Sequence, residues 1–140
     1  MIDHFVMYGE PRGKERPRVA NGHAYTPQKT REYEEALRWA WQFGKRVHFD
    51  GNVQMKVIAF YKIPKAANKD IRARMLNGDV SPTRKPDVDN IMKIVADALN
   101  GLAYDDDKQL NAVSIEKRYS LDPRVSVFLT DEGLGAIDAY

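Results

Sequence analysis

Apolar and polar positions alternate along the chain with two periods, one of two residues and one of about 3.6 residues, which are typical of strands and helices. The two-residue period predicts strands over residues 5–8, 53–63, 113–119 and 125–129. The helical period predicts helices over residues 27–43 and 87–100, and a basic helix or an ordered loop over residues 65–77. Thr26 is expected to cap the start of the first helix, and Gly101 the end of the second.

Two turn signals indicate how the strands connect. Asn21-Gly22 is typical of a hairpin, and Asp122-Pro123 predicts a turn that joins the last two strands into an antiparallel hairpin. Because crossover helices do not separate the strands regularly, we expect an α+β fold: a small single domain in which a mixed or antiparallel β-sheet packs with helices. We assign this domain to residues 1–130, followed by a C-terminal tail of unknown role at residues 131–140.

Composition narrows the class of protein. With 43% hydrophobic and 30% charged residues, the 140-residue chain is typical of one folded domain. The absence of cysteine excludes disulfides and thiolate metal sites. No apolar run approaches the roughly 20 residues of a membrane span, and the first residues lack the pattern of a signal peptide. A cytoplasmic protein with no membrane partner is therefore expected.

Charge is distributed unevenly, although the net charge is only +2. Residues 11–31 carry six basic residues against Glu15 alone, and residues 62–85 carry seven against two acids. Residues 87–107 carry six aspartates against Lys93 alone. Two basic stretches beside one acidic cluster suit a polyanion that is held by cations and attacked at a metal ion. A solvated surface of mixed charge would give the same pattern.

The acidic cluster begins where the second helix is predicted to start. Asp87 stands at the N-cap, where a carboxylate can cap free backbone amides and face the positive end of the helix dipole. Asp89 lies two residues later and can lean toward the same point, and Lys93 follows one turn beyond Asp89. Val88 is expected to belong to the apolar stripe of this helix, opposite Asp89 and Lys93.

A second acidic group, the three aspartates at residues 105–107, precedes a predicted strand and can fold back toward Asp87 and Asp89. Oxygen ligands without cysteine favour magnesium or manganese over zinc. One or two such ions held by three carboxylates would neutralise a phosphodiester and activate water. From the residues alone, other interpretations stay open: a helix cap at Asp87, an exposed ion pair of Asp89 with Lys93, and a solvated loop at residues 105–107.

Four short motifs follow one another between residues 87 and 109. They are Asp87-Val88-Asp89-Asn90, then Lys93, then Asp97-Ala98-Leu99, then Asp106-Asp107-Lys108-Gln109. This order resembles the signature of the RusA family of Holliday junction resolvases: Asp-x-Asp-Asn, a lysine three residues after that asparagine, Asp-Ala-Leu, and Asp-Asp-x-Gln near a strand. Residues 13–18 and 25–30 also resemble the family's amino-terminal pattern. The domain at residues 1–130 is therefore expected to be a RusA-like endonuclease.

The resemblance implies a homodimer that uses Mg²⁺, with Mn²⁺ as a substitute, to nick four-way junction DNA symmetrically in recombination and repair. It assigns metal binding and catalysis to Asp87, Asp89 and Asp107. Asp106 is the alternative to Asp107, because this chain has three consecutive aspartates where the family commonly has two. The resemblance also makes Lys93 the essential lysine, which contacts the scissile phosphate or stabilises its developing charge.

DNA binding is assigned to cations of the two basic stretches, which are expected to line the path of the junction arms: Arg12, Lys14, Arg16, Arg18, Lys69, Arg72, Arg74 and Lys85. Two rival functions stay open, a metal-dependent nuclease for other branched or single-stranded DNA and a non-catalytic DNA-binding protein. His4, His23 and His48 are assigned no chemistry. Trp41 is expected in the core and Trp39 at a dimer contact.

Overall fold

The computed structural model of the protein describes residues 1–44 and 46–139. Its strands are β1 (Ile2–Tyr8), β2 (Arg18–Ala20), β3 (His23–Tyr25), β4 (Val53–Lys62), β5 (Leu110–Ser120) and β6 (Arg124–Thr130). Its helices are α1 (Gln28–Gln42), α2 (Lys69–Leu76), α3 (Val88–Leu99) and α4 (Leu134–Asp138), with a 3₁₀ helix at Asp107–Gln109. The predicted α+β class is confirmed, and the helices pack with a mixed sheet of four strands in one small domain. Helix α1 starts one residue later than predicted, with Pro27 instead of Thr26 at the N-cap.

The main sheet has the strand order β1-β6-β4-β5, in which β5 runs parallel to β4 and the other neighbours are antiparallel. The predicted hairpin between the last two strands is therefore wrong. The turn at Asp122-Pro123 exists, but it carries the chain across the end of β4 to the far side of that strand. Five of the seven residues of β6 are buried, so this strand gains more from two neighbours than it would from an edge position beside β5.

The core lies on one face of β4, where alternate residues from Val53 to Tyr61 are buried. Helices α1 and α3 pack together against this face. Trp41 is 3% exposed, which confirms its predicted core position, whereas Trp39 is 68% exposed. The apolar stripe of α3 is found as predicted except for Val88, which is 46% exposed because the first turn of the helix faces an open cavity beside Leu76 of α2.

The second, smaller sheet is the predicted hairpin at Asn21-Gly22. Strands β2 and β3 pair antiparallel around these two residues, whose φ angles are 52° and 76°. Positive φ at both central positions is what a type I′ turn requires. Residues 10–17, called the basic loop below, connect β1 to this hairpin, which in turn leads into α1.

Residues 131–139 return to the opposite face of the main sheet. Ile137 of α4 is buried, and the backbone N–H of Gly133 donates to Oε1 of Gln54 at 2.8 Å. Nζ of Lys56 donates to Oδ1 of Asp138 at 3.0 Å. Because Lys56 alternates with the buried residues of β4, α4 lies opposite α1 and α3. None of the helices in the described ranges is long and apolar enough to cross a membrane.

Candidate active site

The first two predicted site residues, Asp87 and Asp89, lie at the N-terminal end of α3. Asp87 is the N-cap, but its side chain makes no capping hydrogen bond. Helix capping therefore does not explain why an aspartate stands at this position. Both aspartates are exposed, and neither carboxylate has a hydrogen bond or an ion pair within residues 1–44 and 46–139. Two neighbouring carboxylates without partners repel each other, and a cation between them relieves that repulsion.

Contacts with the sheet fix the start of α3. The hydroxyl of Tyr61 on β4 donates a hydrogen bond to the carbonyl of Pro86 at 3.0 Å. Burial raises the pKa of Tyr61 to about 12, so the hydroxyl keeps the proton that this hydrogen bond needs. Ile91 is fully buried in the first turns of the helix. The two aspartates therefore project from a part of the backbone that is anchored on both sides.

An open cavity of about 640 Å³ joins these aspartates to the basic loop. Its lining includes Asp87 and Asp89 together with Arg12, Arg16 and Lys85. With Lys14, which also lines the cavity, the structure thus brings four of the predicted DNA-binding cations beside two of the predicted catalytic carboxylates. Arginine and lysine side chains bind phosphate oxygens, and carboxylates bind hard divalent cations. The cavity therefore has the charged groups that a phosphodiester and a metal ion both need.

The second acidic group forms the turn before β5. Asp106 caps the 3₁₀ helix, because its side chain accepts a hydrogen bond from the backbone N–H of Lys108 at 2.9 Å. The side-chain oxygen of Gln109 accepts from the backbone N–H of Asp106, and its nitrogen donates to the carbonyls of Phe49 and Gly51, each at 2.9 Å. Gln109 therefore holds the acidic turn in place, which gives the Asp-Asp-x-Gln spacing a structural role.

Asp106 and Asp107 have different surroundings. The backbone N–H of Lys108 lowers the pKa of Asp106. Burial, followed by the neighbouring carboxylates of Asp106 and Asp97, raises the pKa of Asp107. A partly buried carboxylate among like charges is stabilised when a cation binds to it. Of the two residues, Asp107 would gain more from a nearby cation, whereas Asp106 already serves as a helix cap.

The structure also groups three residues that sequence reasoning missed as a set. Ligand atoms of His48, Asp50 and Asp105 all lie within 4.8 Å of one another; in the described ranges, Asp87, Asp89 and Asp107 do not form such a group. Nε2 of His48 lies 3.0 Å from a carboxylate oxygen of Asp105, and Nδ1 lies 2.9 Å from the carbonyl oxygen of residue 102. The hydrogen bond to that carbonyl is the main reason why the pKa of His48 is raised. No sequence signal marks this candidate metal-binding group, because His48 and Asp105 are distant in the chain.

Two predicted functional lysines have opposite surroundings. Lys93 is exposed on α3 and has no partner in the part of the chain that the structure describes. The side chain of Lys14 is only 19% exposed, and its ammonium group contacts Glu34 at 2.5 Å and Asp97 at 3.3 Å. Lys14 is therefore already paired within the protein, through contacts that the sequence did not predict.

The remaining predicted DNA-binding residues lie outside the cavity. Lys69 and Arg74 are exposed on α2, where Nε of Arg72 donates to the carbonyl of residue 67 at 3.3 Å. Arg18 begins β2 and forms an exposed ion pair with Glu15 at 3.5 Å. The exposed charges of Arg18, Lys69 and Arg74 are accessible to a polyanion.

Oxygen ligands at a fixed helix start, with cations in the same cavity, are typical of enzymes that cleave phosphodiesters. The chain matches the family model described as Endodeoxyribonuclease RusA over residues 8–130. It therefore belongs to the RusA family, which implies endodeoxyribonuclease activity and junction DNA as the substrate class. It is also 37% identical, over 134 residues, to the uncharacterized protein YqaN of Bacillus subtilis (strain 168), a match that covers 91% of this chain and 94% of that protein. The resemblance found in the sequence is confirmed.

Proposed function

We propose that this protein is a magnesium-dependent, structure-selective endodeoxyribonuclease that resolves Holliday junctions by paired symmetric nicks in DNA recombination and repair. The observation that carries the proposal is the cavity that the unpaired Asp87 and Asp89 share with Arg12, Arg16 and Lys85. Unpaired groups of both signs in one cavity favour the binding of an external cation and an external anion. The substrate class comes from the family. A cytoplasmic location is part of this proposal, because the family acts on DNA.

The proposed metal ligands are Asp87, Asp89 and Asp107. Their carboxylate oxygens fit Mg²⁺, with Mn²⁺ as a substitute, and no thiolate is present to favour zinc. A bound ion would neutralise charge on the phosphate and lower the pKa of a water molecule. Asp106 is the rival to Asp107, but its carboxylate already caps the 3₁₀ helix.

Lys93 is proposed to contact the scissile phosphate and to stabilise the charge that develops on it. Its position supports this role, because it lies one turn beyond Asp89 on α3 and has no competing partner among the described residues. The proposed grip on the DNA arms comes from the cations that remain accessible: Arg12, Arg16, Arg18, Lys69, Arg72, Arg74 and Lys85. Lys14 is not included, because its side chain is mostly buried and its ammonium group contacts Glu34 and Asp97.

A four-way junction has two-fold symmetry, so we propose a homodimer that presents two equivalent sites. Trp39 is 68% exposed and Phe43 is 85% exposed, and both border a shallow cavity with Val6 of the edge strand β1. Large exposed aromatic side chains beside an edge strand are typical of an interface. The double substitution Trp39→Glu and Phe43→Glu should give a folded monomer in analytical ultracentrifugation. A dimer of unchanged affinity would exclude this face.

The function is tested by cleavage of a synthetic four-way junction with labelled strands. We expect symmetric nicks in two opposing strands that require Mg²⁺ or Mn²⁺ and are lost in Asp87→Asn, which should still bind the junction. Flap and duplex substrates of the same sequence are the controls. Equal cleavage of flaps would make the protein a nuclease for branched DNA in general. Binding of the junction without cleavage in either metal would contradict an enzymatic role.

A further inference from the structure

The side chain of Lys14 connects three parts of the protein. Its Nζ atom lies 2.5 Å from Oε1 of Glu34 on α1 and 3.3 Å from Oδ2 of Asp97 on α3. The three side chains are 19%, 20% and 27% exposed, respectively. Burial disfavours the charged ammonium group, but the hydrogen bonds and charges of Glu34 and Asp97 outweigh it and raise the pKa of Lys14. Lys14 is therefore charged, and its charge is neutralised by two carboxylates of the protein itself.

The backbone at the same position is fixed as well. The N–H of Lys14 donates a hydrogen bond to the carbonyl of Asn90 on α3 at 2.9 Å. A Cβ atom added to Gly13 would lie 2.7 Å from Cβ of Pro86 and 2.9 Å from Cβ of Asn90. Only glycine allows the basic loop to approach the start of α3 this closely. Side chain and backbone thus hold residues 13 and 14 against the helix that carries Asp89.

The neighbours of Lys14 in sequence have a different environment. All three residues line the cavity that contains Asp87 and Asp89. The ammonium group of Lys14 is bound by Glu34 on α1 and Asp97 on α3, whereas neither Arg12 nor Arg16 forms a salt bridge with a described residue. We propose that Lys14 is a positioning residue and not a DNA-contacting cation: it locks the basic loop onto α3, so that Arg12 and Arg16 are held beside the two aspartates. The lock is a property of the free protein, and only its effect on cleavage rests on the proposed function.

The pairing of Lys14 also neutralises two carboxylates on different helices. Glu34 on α1 and Asp97 on α3 both contact its ammonium group. Removing the ammonium group would leave Glu34 and Asp97 partly buried without a partner, which costs more than losing an exposed ion pair. Loss of Lys14 should therefore loosen the loop and leave the repulsion between Glu34 and Asp97 unrelieved.

The lock is tested first in the free protein, by hydrogen exchange at the backbone amide of residue 14. We expect the amide to exchange about tenfold or more faster in Lys14→Met, which keeps the apolar stem, and in Gly13→Ala, which keeps every charge. Arg16→Met is the matched control and should leave this exchange rate unchanged. Wild-type protection of the amide in both Lys14→Met and Gly13→Ala would overturn the lock, whatever the protein cleaves.

The functional part is tested with a four-way junction. Binding is measured without divalent metal at several salt concentrations, and the single-turnover rate is measured with Mg²⁺ at saturating protein. Lys14→Met and Gly13→Ala should slow cleavage by about a hundredfold, yet keep the wild-type slope of log affinity against log salt. Arg12→Ala, which removes an accessible cation, should flatten that slope by about one unit. Lys14→Arg, which can still bond both carboxylates, should recover most of the cleavage rate.

Two results would overturn the proposal for Lys14. A slope flattened by about one unit in Lys14→Met, at any cleavage rate, would make Lys14 an ordinary phosphate contact. A wild-type cleavage rate in folded Lys14→Met and Gly13→Ala would remove its effect on the site. If the wild-type protein cleaves no junction, the proposed function fails, while the exchange experiment still decides whether the lock exists.

Discussion

The polar face of α3 carries aspartates in two contrasting settings. At the start of the helix, Asp87 and Asp89 are exposed and unpaired beside a cavity lined with cations. Two turns beyond Asp89, Asp97 is partly buried and contacts Lys14 at 3.3 Å. Residue type and helix face are nearly the same, so the difference lies in the partners. A carboxylate paired inside the protein supports its architecture, whereas one left unpaired in a cavity is available to an external ion.

The largest effect should come from the unpaired end of the helix. Asp87→Asn and Asp89→Asn should each lower junction cleavage by roughly a thousandfold while leaving junction affinity close to wild type, because the lost charges would hold a metal ion and not the DNA. Single-turnover rates and binding measured in parallel check this. Asp97→Asn is the matched change at the paired end. It should lower the melting temperature, and it should reduce the cleavage rate much less than Asp87→Asn or Asp89→Asn does. Equal loss of cleavage in Asp97→Asn would erase the contrast between the two ends.

The same contrast distinguishes the two aspartates of the acidic turn. Asp107→Asn should lower cleavage by about a hundredfold, because its carboxylate is surrounded by like charges and is available to a cation. Asp106→Asn should cleave nearly as well as wild type, since asparagine caps a helix about as well as aspartate. Mg²⁺ titrations of the cleavage rate check both substitutions. If Asp106→Asn is inactive and Asp107→Asn is active, the assignment of the third ligand is off by one residue.

Lys93 is an unpaired cation on the same helix, so the contrast between paired and unpaired charges also applies to it. Lys93→Ala should lower the single-turnover rate by about tenfold or more, with little loss of affinity, because one cation adds little to a large electrostatic contact but much to a developing charge. Rates at saturating protein, compared with dissociation constants, separate the two effects. Equal losses in binding and cleavage would make Lys93 a simple phosphate contact.

The smallest effect on chemistry is expected from α2. Replacing Lys69 and Arg74 together by alanine should flatten the slope of log affinity against log salt by about two units, with a near-normal rate at saturating protein. Arg118 is the control, because it is also a surface arginine but is paired with Glu116 at 2.5 Å. Arg118→Ala should leave the slope unchanged. An unchanged slope in the α2 variant would remove that helix from the DNA path.

Features set by neighbouring residues could be predicted from the sequence. The hairpin at Asn21-Gly22 and the bounds of α3 follow from local turn and capping rules, and both were found within a residue or two. The RusA motifs are also local, and they identified the family. The predicted pairing of β5 with β6 was wrong, because β4 lies between these strands and pairs with both. That arrangement depends on how much surface the whole sheet buries, and not on the turn between β5 and β6.

Features that join distant residues were missed for the same reason. Lys14 lies 20 residues from Glu34, and no local pattern marks their contact. His48 and Asp105 are 57 residues apart and meet only because the chain returns beside residue 49 before β5 begins. The sequence thus indicated which residues carry charge in the candidate site, but it could not indicate which of those charges are neutralised by each other.

The parallel pairing of β4 with β5 has a consequence for folding. The connection between these strands, residues 63–109, contains α2, α3 and the acidic turn, and with them all four proposed catalytic residues, Asp87, Asp89, Lys93 and Asp107. Closing so long a connection costs chain entropy before the strand pairing can repay it, and parallel pairs are slow to form. A partly folded chain can therefore have helical structure in α3 without a complete site. Nuclease competence should therefore require the long-range pairing of β4 with β5, and not the local folding of α3 alone.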